Sequence, residues 1–236
     1  MTGLAALRAD FSAAADPAKA ALLARFFKTG KGEYAEGDKF LGLTVPATRA
    51  IAKKHHGLPL SEVTSLLRSP WHEHRLCALL LLGEQFRRGA PELREKIYKL
   101  YLANTRFINN WDLVDLSAPR IVGAWLKDKS RAPLYRLAKS QLLWERRIAM
   151  LSCFAFIYDG ESADALKIAR LLLGDEHDLM HKAVGWMLRE VGKRCSEKTL
   201  LDFLKTNYAA MPRTALRYAI ERFPEAKRIQ FLSGKF

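Results

Sequence analysis

Acidic residues, cysteines and strand-forming stretches are all scarce in this chain, and each scarcity excludes something. The 236 residues include 3 cysteines, Cys77, Cys153 and Cys195, an odd and widely spaced set. Such a set does not make a disulfide framework and points to a reducing compartment. No CxxC pair or matched Cys/His spacing suggests structural zinc. His177 and His181 stand four apart, but with no HExxH and no third ligand, so neither a metal nor another cofactor is expected. No stretch approaches the roughly 18 uncharged apolar residues of a membrane-crossing helix. The segment Met1–Ala20 carries Arg8, Asp10 and Asp16 where a signal peptide would be apolar. A cytoplasmic, monomeric protein without a membrane partner is expected. The patterns GxxxxGK[ST] and GxSxG are absent too, which argues against a nucleotide P-loop and a nucleophile-elbow hydrolase.

What is present is base. Lys and Arg number 39 against 25 Asp and Glu, a net charge of +14. An excess of that size suits a polyanionic partner, whether DNA, RNA or an anionic surface. About half of the residues are apolar, enough for a sizeable core.

Apolar residues recur on the 3.6-residue period, giving helices of about 10–18 residues. The breaks between them fall near Gly30–Gly32, Gly57–Pro59, Ser69–Pro70, Gly89–Pro91, Asn109–Asn110, Lys129–Ser130, Asp159–Gly160, Gly174–Asp175 and Met211–Pro212, all turn and cap residues. A weak repeat runs through the chain. Helices open at Trp71-His72-Glu73-His74-Arg75, Trp144-Glu145-Arg146-Arg147, Met180-His181-Lys182 and Met211-Pro212-Arg213, each with a large apolar residue and then a cation. The period is about 35 residues, one helical hairpin per unit, as in helical solenoids. The expected fold is all-α: one domain over residues 1–236, a curved superhelical solenoid of HEAT-like antiparallel helix pairs with a basic concave face. Cations in a first turn oppose the helix dipole. Either they hold phosphates along one edge of the array, or each pairs with an acid of a neighbouring repeat.

Three residues stand out against this background. Val184, Met187, Leu188 and Val191 form the apolar stripe of one helix, and Trp186 falls about opposite it. Lys182, Arg189 and Lys193 fall beside Trp186, an aromatic within a basic face such as nucleic-acid grooves use. A Trp packed on an adjacent helix is the competing account. Trp111 and Asp115 stand four apart on another helix and share a face. Asn110 suits the N-cap, and the helix dipole accounts for Asp112 in the first turn. Asp115 lies beyond that turn among Leu113, Val114, Leu116 and Ala118, where a carboxylate needs a partner. It is either a salt bridge, for instance to Arg120, or an anion held beside an aromatic wall. Arg146 and Arg147 open the next repeat and suit a phosphate, or an intramolecular acid. The loop Gly30–Gly42 is Gly-rich and holds Tyr34, a further candidate contact; Arg49 makes the helix after it basic together with Lys53 and Lys54. His55, His56, His72 and His74 read as solvated basic positions.

These residues resemble a known family. Gly32-Glu33-Tyr34 through Pro46-Ala47-Thr48-Arg49, Trp111-Asp112-Leu113-Val114-Asp115, Arg146-Arg147 and Lys182-Ala183-Val184-Gly185-Trp186-Met187-Leu188-Arg189-Glu190 are similar to segments of the AlkD-like DNA alkylation-repair glycosylases, which are built of HEAT-like repeats. The N-terminal loop is shared more loosely than the other segments. The resemblance implies monofunctional excision of N3- and N7-alkylated purines from duplex DNA, without a pocket for a flipped base. By the same resemblance Trp111 and Trp186 match two aromatic walls, Asp115 the catalytic carboxylate and Arg147 a contact to the DNA backbone. A chain of this kind would be associated with the nucleoid. The competing class is a non-catalytic HEAT-like protein that binds DNA structures or RNA.

Overall fold

The computed structural model describes residues 3–236. Over them the chain is all-α and repeat-like, as expected; the only extended pairing among the described residues is an isolated bridge between Lys39 and Trp71. The residues group into two compact units, one ending at Ser117 and one running from Ala118 to Phe236. The nine predicted breaks fall between helices or, at Pro91, reach the first residue of one, though several helices are shorter than the period suggested, down to Phe154–Tyr158.

The first unit contains α1 (Gly3–Ala13), α2 (Pro17–Phe26), α3 (Val45–Lys54), α4 (Leu60–Leu67), α5 (His72–Arg88), α6 (Pro91–Ala103) and α7 (Trp111–Ala118). Helix α5 is its centre and packs on α3, α4 and α6. Its sequence explains the role: Leu76, Cys77, Ala78, Leu79, Leu81 and Leu82 cover most of its circumference and all are buried, the signature of a helix surrounded by others. Each such leucine contributes about 1.5–3 kcal/mol on leaving water. Helix starts follow local rules. Asp16 accepts the Lys19 N–H at 3.0 Å and Thr44 that of Ala47 at 3.4 Å, while Pro17, Pro46 and Pro91 occupy first-turn positions where no N–H is needed. Helix α2 has no buried residue and leaves Leu22 and Phe26 exposed.

The loop between α2 and α3 is folded onto the first turn of α5. Glu73, buried, accepts the backbone N–H groups of Leu41 at 2.9 Å, Gly42 at 2.8 Å and Leu43 at 3.2 Å. Gly42 has φ +91°, and a Cβ there would meet the Asp16 carbonyl oxygen at 2.1 Å, so this position needs glycine twice over.

The second unit opens with a π-helical turn, Pro119–Gly123. Proline has no N–H for the carbonyl four residues back, which disturbs the regular ladder there. Then come α8 (Ala132–Leu137), α9 (Leu143–Ser152), α10 (Phe154–Tyr158), α11 (Ala163–Leu171), α12 (Asp178–Arg194), α13 (Glu197–Asn207), α14 (Arg213–Ala219) and α15 (Glu225–Ser233). Helix α12 is the counterpart of α5, packed on α9, α10, α11, α13 and α14. The predicted stripe of Val184, Met187, Leu188 and Val191 is buried, extended by Met180 and Ala183. Among the described residues no helix is long and apolar enough to cross a membrane.

Candidate functional site

Helix α7 presents Trp111 at its first position and Asp115 one turn on. Both side chains are half-buried, and Leu113 and Val114, between them in the chain, are fully enclosed. The Asn110 side chain accepts the Trp111 N–H at 2.8 Å, and its carbonyl accepts the first helical bond, from Val114 at 3.1 Å. The second turn of the helix is fixed by Ser117. Its hydroxyl donates to the Leu113 carbonyl at 2.5 Å and therefore accepts from the Tyr101 hydroxyl at 2.8 Å. Burial pushes the Tyr101 phenol well above its ordinary range, and the Asp115 charge adds to that rise against the Ser117 bond.

The Trp111 ring belongs to an aromatic stack. It lies on Phe27, with centroids 5.4 Å apart and planes 26° from parallel, and meets Phe26 edge-on at 6.1 Å. Phe27 in turn stacks on Phe40 at 5.2 Å, and Phe40 on the His72 ring at 4.7 Å. Phe26 is 62% exposed. An exposed phenylalanine edge-on to a half-buried tryptophan offers aromatic surface to solvent, one helical turn from the Asp115 position.

Beneath the stack lies a set of charged groups that the sequence did not suggest. His72, His74 and Arg75 are buried rather than solvated, which corrects the expectation for both histidines; His55 too is half-buried, 2.6 Å from Asp10. His72 Nε2 lies 2.8 Å from Asp112 and Nδ1 lies 3.4 Å from Asp38. Arg75 pairs with the same Asp38 oxygen at 2.7 Å, and Asn109 donates to the other at 3.1 Å. Asp112 thus does more than answer a helix dipole: its other oxygen accepts the Leu113 N–H at 2.9 Å while it holds His72. Burial works to raise the Asp38 carboxyl, but His72 and Arg75 outweigh it and hold the group below its usual range.

In the second unit Trp186 is half-buried on α12, 6.4 Å from the Phe154 ring and tilted 40° from it. It packs on a neighbouring helix and keeps some solvent access. Arg194 lies over Phe154 at 5.3 Å and over the exposed Tyr158 at 5.1 Å. Gly185 lets α14 approach closely; a Cβ there would lie 2.4 Å from the Ala215 carbonyl oxygen.

The cations of the helix starts are mostly engaged within the chain. Arg146 pairs with Asp175 at 2.6 Å and donates to the Ser140 and Gln141 carbonyls at 3.0 and 2.9 Å. Arg147 is only 4% exposed and donates to the Leu179 carbonyl at 2.5 Å, bracing α9 on α12. Lys182 pairs with Asp178 at 2.7 Å, and Arg189 with Glu221. His177 caps α12 through Nδ1, which accepts the Leu179 N–H at 3.1 Å. Lys193 and Arg49 point to solvent, and Tyr34 is half-buried in its loop. Sequence reasoning missed Phe26 and Phe27. The signal available was an aromatic pair closing a helix of alanines and leucines, with the second ring buried and the first exposed.

These features define a class: a basic, all-α repeat protein that presents aromatic faces and a helix-borne carboxylate at its surface. The chain belongs to the DNA alkylation repair enzyme family, whose model matches residues 7–223. Among solved structures it is similar to a predicted DNA alkylation repair enzyme from Enterococcus faecalis, with 17% identity over 89% of this chain and 97% of that one and a TM-score of 0.68. That likeness concerns the fold. No curated protein matches.

Proposed function

We propose that the chain is a monofunctional DNA glycosylase that hydrolyses the N-glycosidic bond of N3- or N7-alkylated purines in duplex DNA. The observation that carries this is the Trp111 ring, braced on Phe27 and one helical turn from the Asp115 carboxylate, in a member of an alkylation-repair family. Alkylation at N3 or N7 makes the purine cationic. When the bond from C1′ to the base nitrogen breaks, its electron pair leaves with the purine and neutralises that charge. A sugar with oxocarbenium character is left, and water adds to C1′ and releases a proton. No strong acid is needed for the leaving group, so the protein's task is to stabilise the developing cation and place the water.

In this proposal Asp115 is ionised, faces the sugar and orients the water. Trp111 and Trp186 flank the deoxyribose, their faces favouring cationic character. The base stays stacked, and no purine pocket is required, in contrast to enzymes that extrude the base. Arg146, Lys182, Arg189, Lys193, Arg49 and Tyr34 are proposed contacts to the DNA backbone. Arg147 is proposed for the same role, which requires its guanidinium to turn from the Leu179 carbonyl toward solvent.

The test is single-turnover release of 7-methylguanine or 3-methyladenine from a duplex. Asp115→Asn is expected to slow release by orders of magnitude, on the scale of about 10²–10³-fold, with DNA affinity retained. Equal rates in variant and wild type would remove Asp115 from the chemistry. Tight, structure-selective binding with no base release by the wild type would instead make the chain a non-catalytic DNA binder.

A further inference from the structure

The His72 network has a geometry that neutral imidazole does not satisfy. Each ring nitrogen faces a carboxylate oxygen, Nε2 that of Asp112 at 2.8 Å and Nδ1 that of Asp38 at 3.4 Å. A neutral ring carries one N–H, so one carboxylate would face a lone pair; the imidazolium donates to both. Protonation also sets two cations against the two carboxylates that touch them. Asp38 from the loop and Asp112 from α7 stand against His72 and Arg75 from α5, with Asn109 the neutral partner. The rings packed against His72 are Phe27 and Phe40, and Phe27 carries Trp111. His72 therefore reaches Trp111 by two routes: through Asp112, the next residue, and through the Phe27 ring.

We propose that His72 is a positioning residue for Trp111: as an imidazolium shared by Asp38 and Asp112 it fixes the start of α7 and the stack beneath the tryptophan, and loss of its proton loosens that ring. Burial, the largest single influence, works against the proton, but the two carboxylates outweigh both burial and the Arg75 charge and raise the His72 pKa above its ordinary value. The charged form therefore persists to higher pH than in an ordinary histidine, and the loosening follows at that higher midpoint. With respect to function the proposal rests on the glycosylase reading; with respect to the ring it stands on the geometry alone.

The experiment has an arm for each. The protein is labelled with fluorotryptophan and [15N]histidine, and the Trp111 fluorine signal, one of five tryptophans, is assigned by its loss in Trp111→Phe. Between pH 6 and 10 the Trp111 signal is expected to titrate in step with the His72 nitrogens, at one midpoint above the ordinary histidine value. In His72→Gln the Trp111 signal is expected to be shifted and flat. A wild-type Trp111 signal that ignores the His72 titration overturns the proposal, and this measurement needs no variant beyond the assignment. In the second arm, wild-type base release is expected to fall by about tenfold along the same midpoint, and His72→Gln to be slow and pH-independent over that range. A structural role alone would lower the rate of His72→Gln without removing the titration, which would also overturn the proposal. If the wild type releases no base at any pH, the glycosylase reading fails, while the fluorine titration still decides the role of His72.

Discussion

A methyl group added at Gly185 tests how Trp186 is placed. Gly185 sits in the middle of α12, and its missing side chain faces α14. A Cβ built there lies 2.4 Å from the Ala215 carbonyl oxygen and 2.5 Å from the Tyr218 Cβ, where ordinary contact begins at 3.4 Å. The shortfall, 3.4 − 2.4, is 1.0 Å against backbone. No rotamer relieves it, so α12 and α14 must separate by about that distance. Gly→Ala in a helix interior would by itself gain about 1 kcal/mol of helix propensity; forced repacking of a full core costs about 1–3 kcal/mol. The second effect should win, with Gly185→Ala less stable by up to about 2 kcal/mol. Gly83→Ala is the control. Gly83 is also inside a long helix, α5, but a Cβ there meets nothing within 4 Å, so this variant should gain about 1 kcal/mol or slightly less. Equilibrium urea unfolding of the three proteins measures both. Because Trp186 is the next residue, a 1 Å displacement should also slow base release, by up to about 10²-fold, and leave Gly83→Ala unaffected. Equal stabilities of the two variants would refute the packing account, and an unchanged release rate in a destabilised Gly185→Ala would show that Trp186 is not needed at that precision.

His74 gives an acid-side prediction. Burial, then the charges of Arg8 and Arg75, lower its pKa from 6.5 to about 4; the folded state therefore binds the proton less readily than the unfolded one, and stability that is complete above pH 6.5 is lost as pH falls toward 4. The shift corresponds to about 3 kcal/mol, so the wild-type stability minus that of His74→Asn should fall by about that much between pH 7 and 4; a constant difference would be inconsistent with a buried neutral His74. Glu73→Gln turns a buried acceptor of three N–H groups into one with a competing NH2, and should cost about 1–3 kcal/mol, seen as a lowered urea midpoint; no change would mean that Glu73 does not hold the Leu41–Leu43 segment. Lys193→Gln should flatten the plot of log affinity for duplex DNA against log salt by about 0.9 if Lys193 meets a phosphate; an unchanged slope would take it off the interface.

The helices were legible because their causes are local. The stripe Val184, Met187, Leu188 and Val191 appears in the order of the residues, and so do the glycines and prolines at the breaks. What was illegible depends on partners distant in sequence. Nothing near His72 announces that Asp38 and Asp112 will close on it, and a histidine among charged residues at a helix start resembles a solvated one. The pairing of Trp111 with Phe26 and Phe27 has the same character: it spans some eighty positions of sequence and is made by the fold. Asp112 was legible by half, since a first-turn acid has a sufficient local explanation that hides its second role.

The helix-start cations sharpen what the net charge means. Ion pairing moves no charge: every lysine or arginine joined to an acid removes one of each from the surface, so 39 bases against 25 acids leave the same +14 however they pair. What pairing decides is where the excess sits. Arg75, Arg146, Arg147 and Arg189 are partnered by acids or carbonyls and act as braces between helices, so those of them proposed to meet DNA must give up a partner when they do. Part of the excess lies on exposed side chains such as Lys193 and Arg49. Substituting a brace proposed to meet DNA, such as Arg146, should therefore lower stability as well as flatten the salt slope, and substituting an exposed cation should change the slope with little loss of stability. An Arg146→Gln variant that lost stability with an unchanged salt slope would take Arg146 off the proposed interface and leave it a brace alone.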